Sequence, residues 1–430
     1  MIRHLQLAAC AAIGLATAQA FAAKPSPPPS AYAEYVNAVR KADAIPDARE
    51  RCLAYPDLPG NQWAPGVAKA RCLMFLTPPV YTLDSLEKAL AQADGAKTVD
   101  ARFQRLLDEH FTVPDQREQV FIGFFIFNDD DHDKAERIAR AWLAASPDSP
   151  FARTALAAVL ENRGWDARGS KFIRETPAED VRRMEAYFVE AAKLYADALK
   201  SDPKLLPACH GLMSIGRQSS DAIQAGASKA CMDVDPASYY VVDEMMTAAE
   251  PRWGGSEEAM RAVAAYAQAR VKDNPVLAVF AFHHAYYAAE RADDRDAQRL
   301  AVLEPAVALV PNAAYLHSVG GAYLRKDDNW KAFVLLSQAL RFAPGNAVTY
   351  RWRGYALYDL GETKWARADA ERAVELDPKD AYAQRLLADL LRDSLDDDGA
   401  RPHYALAMQE PELRQNAYVE YCATWLNVKK

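Results

Sequence analysis

The chain has 430 residues, half of them hydrophobic and 26% charged, with a formal net charge of −8. That mixture fits a folded protein with room for two or three domains or one extended solenoid, and the negative balance argues against nucleic acid as a partner of the whole surface. Beyond the N-terminus no apolar run is long enough to cross a bilayer, so no transmembrane segment is expected in the mature chain.

At the N-terminus, Arg3 and His4 precede a run from Leu5 to Ala18 almost free of polar side chains. Ala18-Gln19-Ala20 or Ala20-Phe21-Ala22 then supplies the small-x-small pattern at which secretory signal peptides are cut. Residues 1–23 are expected to be removed on export, which puts the mature chain in the periplasm or outside the cell. Residues 24–30, with Pro25, Pro27, Pro28 and Pro29, form a stiff linker. An oxidising compartment lets cysteines pair. Cys52 and Cys72 flank the turn Pro56-Asp57-Leu58-Pro59-Gly60 in the matching contexts Arg51-Cys52-Leu53 and Arg71-Cys72-Leu73, and a disulfide between them is expected. Cys209 and Cys231 fall near the start of one helix and the end of its antiparallel mate, where a second bridge fits; Cys422 is left over. The absence of any Cys-x-x-Cys pair argues against a zinc ribbon or a redox dithiol.

Residues 31 to about 115 read as helical without a repeat. A spacing then sets in: Gly123, Ala135 and Pro147 have the offsets that recur as Gly320, Ala332 and Pro344, and Ala191, Ala198 and Pro203 have those of Ala332, Ala339 and Pro344. Helix-ending prolines follow at Pro147, Pro203, Pro236, Pro275, Pro311, Pro344 and Pro378, separated by 56, 33, 39, 36, 33 and 34 residues. The first excess contains Gly164-Trp165-Asp166-Ala167-Arg168-Gly169-Ser170, and the second contains Pro251-Arg252-Trp253-Gly254-Gly255-Ser256. In a structural reading of the second, Pro251 ends a helix, the glycines reverse the chain, Ser256 caps the next helix, and Trp253 is a buried plug. In a functional reading, Trp165, Arg168, Arg252 and Trp253 line a pocket for an anionic or sugar-like ligand. The structural one is preferred.

Other chemistry-bearing stretches have plainer explanations. Asn128-Asp129-Asp130-Asp131-His132-Asp133 lacks the Gly and the distant Glu of a helix-loop-helix calcium site. Asp293-Asp294, Asp327-Asp328 and Asp396-Asp397-Asp398 stand at the matching turn of their own repeats, so these aspartates read as helix caps. His283-His284 has no partner one turn on to complete a metal pair. With no Gly-x-Ser-x-Gly elbow and no phosphate-binding Gly-rich Lys loop, no catalytic residue, metal or cofactor is assigned.

The clearest repeat runs from Ala313 to Pro378, where Gly320 and Gly354, Ala332 and Ala366, Ala339 and Ala373, and Pro344 and Pro378 each stand 34 residues apart. Ala332, Leu335, Leu336, Ala339 and Leu340 share one helix face, which a lone hairpin cannot bury and a stacked neighbour can. A third copy places Leu387, Ala388, Ala400 and Ala407 opposite Val319, Gly320, Ala332 and Ala339, and an amphipathic helix from Glu412 to Trp425 would cover the end. These positions resemble the tetratricopeptide repeat. The resemblance implies an all-α fold, an α-solenoid of stacked helical hairpins with a C-terminal capping helix. Degenerate repeats would fill a helical domain over 31–310, and regular repeats with the cap would fill 311–430. The middle third also resembles a bacterial domain family of unknown function, which pairs Ala-Arg-Gly-Ser and Pro-Arg-Trp-Gly-Gly-Ser motifs with C-terminal tetratricopeptide repeats.

In tetratricopeptide repeats the fifth position of each copy points into a concave groove, which implies that role for His317, Arg351 and Arg385. Arg325, Arg392, Tyr355, Tyr358 and Tyr382 come from the same faces. Such a strip suits an acidic peptide or a C-terminal carboxylate, unless Asp359, Asp389 and Asp393 neutralise it. The leading expectation is therefore an exported, non-enzymatic scaffold that binds a protein or peptide. Its rival is a small-ligand receptor or enzyme with its site at the two irregular motifs.

Overall fold

The computed structural model describes residues 27–291 and 295–425. The expected signal peptide and Asp293-Asp294 lie outside the described residues. Within these, all regular structure is helical. By packing, the chain divides into two compact units: Ala64–His284, and the residues up to Trp63 together with those from Ala285 onward. The division therefore falls at two places, neither of them the expected boundary near 310.

The second of these units begins with helices α1 (Ala33–Asp43) and α2 (Ala48–Ala54). Asp47 starts α2 by accepting the Glu50 N–H at 2.8 Å, an N-cap bond.

The unit Ala64–His284 opens with α3 (Val67–Leu76), α4 (Leu83–Leu90), α5 (Gly95–Thr112) and α6 (Gln119–Phe125). It continues with α7 (His132–Ala145), α8 (Pro150–Arg168), α9 (Ala178–Ser201), α10 (Leu206–Ser219), α11 (Asp221–Val234), α12 (Tyr239–Ala248) and α13 (Glu257–Gln268). Pro147, Pro203 and Pro236 lie in the connections after α7, α9 and α11, where a residue lacking an N–H ends a helix at little cost. Both interruptions of the spacing sit in the turn between the helices of one hairpin. The first also lengthens its helices, so that α8 and α9 reach 19 and 24 residues. The second is a tight reversal with Gly254 at φ 89°, and Ser256 caps α13 by accepting the Ala259 N–H at 3.1 Å. Phe103, Phe121, Phe124, Phe127, Trp142 and Phe188 fill the core. Cys209 and Cys231 bridge α10 to α11, with Cα atoms 5.8 Å apart. Cys52, Cys72 and Cys422 are also oxidised, and no free thiol remains among the described residues.

After the short helix α14 (His283–Ala289), the other unit resumes with α15 (Arg295–Leu309), α16 (Ala313–Leu324), α17 (Asn329–Phe342), α18 (Ala347–Asp359) and α19 (Thr363–Leu376). It ends with α20 (Ala381–Asp393), α21 (Asp397–Ala407) and α22 (Arg414–Trp425). The hairpins α16–α17, α18–α19 and α20–α21 stack as the 34-residue period requires, with Ala332, Ala339, Ala366, Ala373, Ala400 and Ala407 all buried. Gly354 is needed for the close approach: a Cβ there would stand 2.9 Å from Leu386 Cδ2 in the next repeat. Helix α22 covers the last hairpin, where Arg401 donates to the Thr424 carbonyl at 2.7 Å and lies 3.9 Å from the centre of the Trp425 ring.

Helices α1 and α2 pack on the second helices of these repeats. Tyr35 donates its hydroxyl to the Val334 carbonyl at 3.2 Å and accepts from Gln338 at 2.9 Å. Arg341 donates to the Cys52 carbonyl at 3.0 Å and to Asp57 at 2.7 Å.

Candidate functional site

Three places in the fold gather functional chemistry. The first joins the two irregular motifs. The last turn of α8 carries Trp165 and Arg168, and the 251–256 turn brings Trp253 edge-on to Trp165, with ring centroids 5.8 Å apart and planes at 80°. Arg217 of α10 lies between them, 4.9 Å from the Trp165 ring centre and 4.2 Å from that of Trp253, and donates to Glu244 of α12 at 2.6 Å. Arg168 sits 4.9 Å from the Trp253 ring and donates to Gln218 at 2.6 Å and to the Gly169 and Lys171 carbonyls at 2.9 and 3.1 Å. Burial, with Arg217 and Arg252 nearby, lowers the Arg168 pKa. Arg252 is exposed and pairs with Glu250 at 2.5 Å, touching the cluster only through the Trp253 ring at 5.8 Å. Trp253 is half-buried, less than the expected plug, since it packs edge-on against Trp165 and over guanidinium groups. The indoles and guanidiniums thus fill one another's space, and Arg168, Arg217 and the Trp165 indole close on protein acceptors, while the buried Trp253 Nε1 has no hydrogen-bond partner among the described residues. Arg217 and Glu244, which knit the joint, stand outside both irregular stretches, so spacing carried no signal for them.

The second place is the strip on the first helices of the C-terminal repeats. His317, Arg351 and Arg385 stand at matching positions of α16, α18 and α20, and each is engaged. His317 stacks on Trp352 at 4.3 Å and hydrogen-bonds Thr349 at 2.8 Å. Burial, and then Arg299, Arg325 and Arg351, push its pKa down to about 4. Arg351 pairs with Asp380 at 3.2 Å, Arg385 with Asp389 at 2.9 Å, and Arg392 with Glu420. Tyr358 donates to Asp393 at 2.6 Å and Tyr355 to the Tyr382 carbonyl at 3.0 Å.

The third place had no sequence signal at all. A cleft of about 830 Å³ opens where α1 and α2 face α18 and α19. On its floor, Arg353 makes a bidentate pair with Asp369, both bonds 2.7 Å, and also reaches Asp43 at 2.9 Å, the Tyr55 hydroxyl at 3.1 Å and Ser337 at 3.3 Å. Burial raises the Asp369 carboxyl to about 6 against the pull of Arg353. Around the rim, Arg40 pairs with Glu362 at 3.0 Å and lies 5.0 Å from the Trp365 ring centre, and Arg51 donates to the Ile45 carbonyl at 3.0 Å. Lys364 is exposed. The lining carries five cations, Arg40, Arg51, Arg353, Lys364 and Arg372, against the three carboxylates Asp43, Glu362 and Asp369, so it is net positive by two in an acidic chain.

His110, Glu118 and Asp235 form a buried cluster with ligand-type atoms within 4.8 Å of one another. The His110 Nδ1 accepts the Glu118 N–H at 3.0 Å, so its Nε2 carries the hydrogen that Asp235 accepts at 2.9 Å. Arg117 also donates to Asp235, at 2.6 Å, and Glu118 accepts from Ser238 at 3.0 Å and from the Tyr239 N–H at 2.6 Å. With both ring nitrogens bonded, the cluster is a polar lock between α5 and the turn before α12. Among the acidic turns, Asp131, Asp328 and Asp396 cap α7, α17 and α21 by accepting the N–H of Lys134, Lys331 and Gly399 at 3.1, 3.2 and 2.9 Å.

No family model matches the chain, and no curated protein does. Solved structures with a similar arrangement include a tetratricopeptide repeat protein from Parabacteroides merdae, at 13% identity and a TM-score of 0.26, covering 75% of this chain and 98% of that one. Yeast Tom70 is similar at 12% identity and a TM-score of 0.28, over 80% of this chain and 96% of that one. A thermophilic tetratricopeptide repeat protein from Thermus thermophilus matches at 17% identity and a TM-score of 0.20, over 56% and 92%. The solenoid assignment rests on the chain's own hairpins, whose helices pair in succession with buried alanines at a 34-residue interval.

Proposed function

We propose that the chain is an exported, non-enzymatic scaffold that holds a protein or peptide partner, in the periplasm or outside the cell, and seats an acidic segment of that partner in the cleft of its C-terminal repeats. The observation that carries this is the cleft of about 830 Å³ with two more cations than carboxylates in its lining. Its size is that of a ligand cleft, and arginine forks suit carboxylates. The strip of His317, Arg351, Arg385, Tyr355, Tyr358 and Arg392 is the secondary surface, because its arginines are already paired with acids.

The test is a photo-cross-linking residue at Thr363, an exposed position of the cleft wall, in the exported protein. One partner should be captured, less of it as salt rises, and the Lys364→Glu/Arg372→Glu variant should lose it while Arg351→Ala/Arg385→Ala keeps it. Undiminished capture by the charge-reversed variant would remove the cleft from the function. Export is tested separately: the mature protein should begin between Phe21 and Lys24, and a non-reducing peptide map should link Cys52 to Cys72.

The second reading, a small-ligand or enzyme site at Trp165, Arg168, Arg252 and Trp253, draws support from the convergence of the two motifs on one joint. The mutual stacking of that joint and the hydrogen bonds of its arginines weigh against it, and the unpartnered Trp253 Nε1 is the donor such a ligand would meet.

A further inference from the structure

Beside the motif joint lies a cavity of about 110 Å³, walled by Phe121, Phe124 and Phe125 of α6, Glu161 and Trp165 of α8, and His210 of α10. Sites for whole small molecules occupy roughly 300–1,000 Å³, so this one has room for a single side chain. Its one formal charge is the Glu161 carboxylate. The Tyr195 hydroxyl donates to Oε2 at 2.8 Å, and Trp165 Nε1 shares its hydrogen between Oε1 at 3.3 Å and the Ser214 hydroxyl at 3.1 Å, which itself bonds the carboxylate. Three neutral donors use about three of the four lone-pair directions of a carboxylate. No cation is paired with Glu161 among the described residues, since the nearby Arg217 is held by Glu244 at 2.6 Å. The His210 ring has no hydrogen-bond partner among those residues, and burial and Arg217 keep it neutral, with a pKa of about 4. A neutral imidazole has a nitrogen lone pair to offer a donor.

We propose that this cavity takes one protonated amine, the lysine side chain of a partner polypeptide, with its ammonium on Glu161 and its stem along the phenylalanines. Each element fits that chemistry. An aromatic wall attracts a cation and covers an alkyl chain, the carboxylate lacks a counter-charge, and His210 accepts a second ammonium proton. An anionic group would meet Glu161 as a like charge. The inference stands on the cavity alone and holds whatever occupies the cleft of the C-terminal repeats.

The pH dependence has a definite sign. Burial, with a smaller push from Glu244, raises the Glu161 carboxyl to about 7. The other groups facing it are Tyr195 of α9, raised well above its ordinary value; His210 and Arg217 of α10; and Glu244 of α12, which Arg217 holds. Helix α6 brings only aromatic rings to this wall. Ionisation of Glu161 therefore grows as pH rises through 7, while a lysine stays protonated. Binding strengthens over that range and releases a proton at the lower end.

The probe is a blocked pentapeptide, acetyl-Gly-Gly-Lys-Gly-Gly-amide, titrated calorimetrically at pH 6, 7 and 8 into the full mature protein. The same peptide with acetyl-lysine and pentaglycine amide with a free amino terminus serve as comparisons. The lysine peptide should bind roughly tenfold more tightly at pH 8 than at pH 6, the ratio of ionised fractions for a group titrating near 7. Acetylation or Glu161→Gln should each cost at least about tenfold, and the exposed-ring variant Phe125→Ala a few-fold. Equal binding of the acetylated peptide, an unchanged Glu161→Gln, or no binding of the lysine peptide overturns the proposal. Tighter binding of pentaglycine amide overturns the assignment to a lysine side chain. A cross-linked partner at Thr363 in the face of any of these results leaves the scaffold reading standing.

Discussion

The C-terminal hairpins and the hairpins that carry the irregular motifs use the same helix pairs to opposite ends. In α16 to α21 the joints are made of alanine and glycine, the helices come close, and the arginines on the first helices are closed on aspartates and a glutamate. Between α8 and α13 the joints are made of tryptophans and arginines, helices α8 and α9 are longer, and beside them remains a cavity with a carboxylate that no cation among the described residues pairs with. Regular spacing goes with small residues and satisfied charge; extra length between helices admits bulky side chains that cannot tile without leaving room. A repeat protein can thus gain a cavity where its period fails, in addition to the cleft that its periodic part helps to wall.

Stability measurements sharpen that contrast. The largest loss should come from Arg353→Ala, which removes the cation between Asp369 and Asp43 and leaves Asp43 only the neutral donors Tyr55 and Trp365. A cost of about 3–5 kcal/mol is expected in the unfolding transition of the C-terminal repeats, read by denaturant titration. Next is Cys209→Ser/Cys231→Ser in the other unit, where the bridge closes a separation of 22 residues and its removal should cost about 3 kcal/mol. If both variants lowered one shared transition alike, the two units would not be separate cooperative blocks. Gly354→Leu should cost roughly 1–3 kcal/mol by overpacking against Leu386, while the exposed Lys379→Ala should cost almost nothing; equal melting temperatures for these two would break the assigned register.

The smallest effect is one of pH. His317 has a folded pKa lowered to about 4, against an unfolded value near 6.5, so the native state binds fewer protons between those values. Its contribution is present above pH 6.5 and is lost as pH falls toward 4. That loss is roughly 1 kcal/mol after allowance for the ring's remaining exposure. Denaturant midpoints at pH 7 and pH 5 should show it in the parent and not in His317→Gln.

How much was legible follows from which interactions repeat. Gly354, Ala366 and Ala373 could be read because the same packing demand falls on Gly320, Ala332 and Ala339 one period earlier. The proline ladder marked the hairpins for the same reason, and its two long steps pointed to Trp165, Arg168 and Trp253. Arg217 occurs once and in regular helix, so nothing in the sequence set it apart. The cleft was invisible because its walls are joined by pairs such as Arg353 and Tyr55, 298 positions apart. The period puts Arg351 and Arg385 at matching positions of their helices, but whether a charge is free or paired depends on where Asp380, Asp389 and Glu420 end up, which no period dictates.

The bond from Tyr35 to Val334 spans 299 positions, and that separation sets a schedule for a chain synthesised from its N-terminus. Segments emerging in order during synthesis leave α1 and α2 without their partners until α17 and α19 have been made. The unit Ala64–His284 is complete well before then. Its two ends are neighbours, with Gly66 so placed that a Cβ on it would lie 3.9 Å from Pro275. Once folded, it draws the early and late segments to within a short span and turns a closure over hundreds of residues into a local one. The central unit thereby acts as an assembly jig for the rest, so a substitution that delays its folding would also delay maturation of the cleft, although none of its atoms lines that cleft.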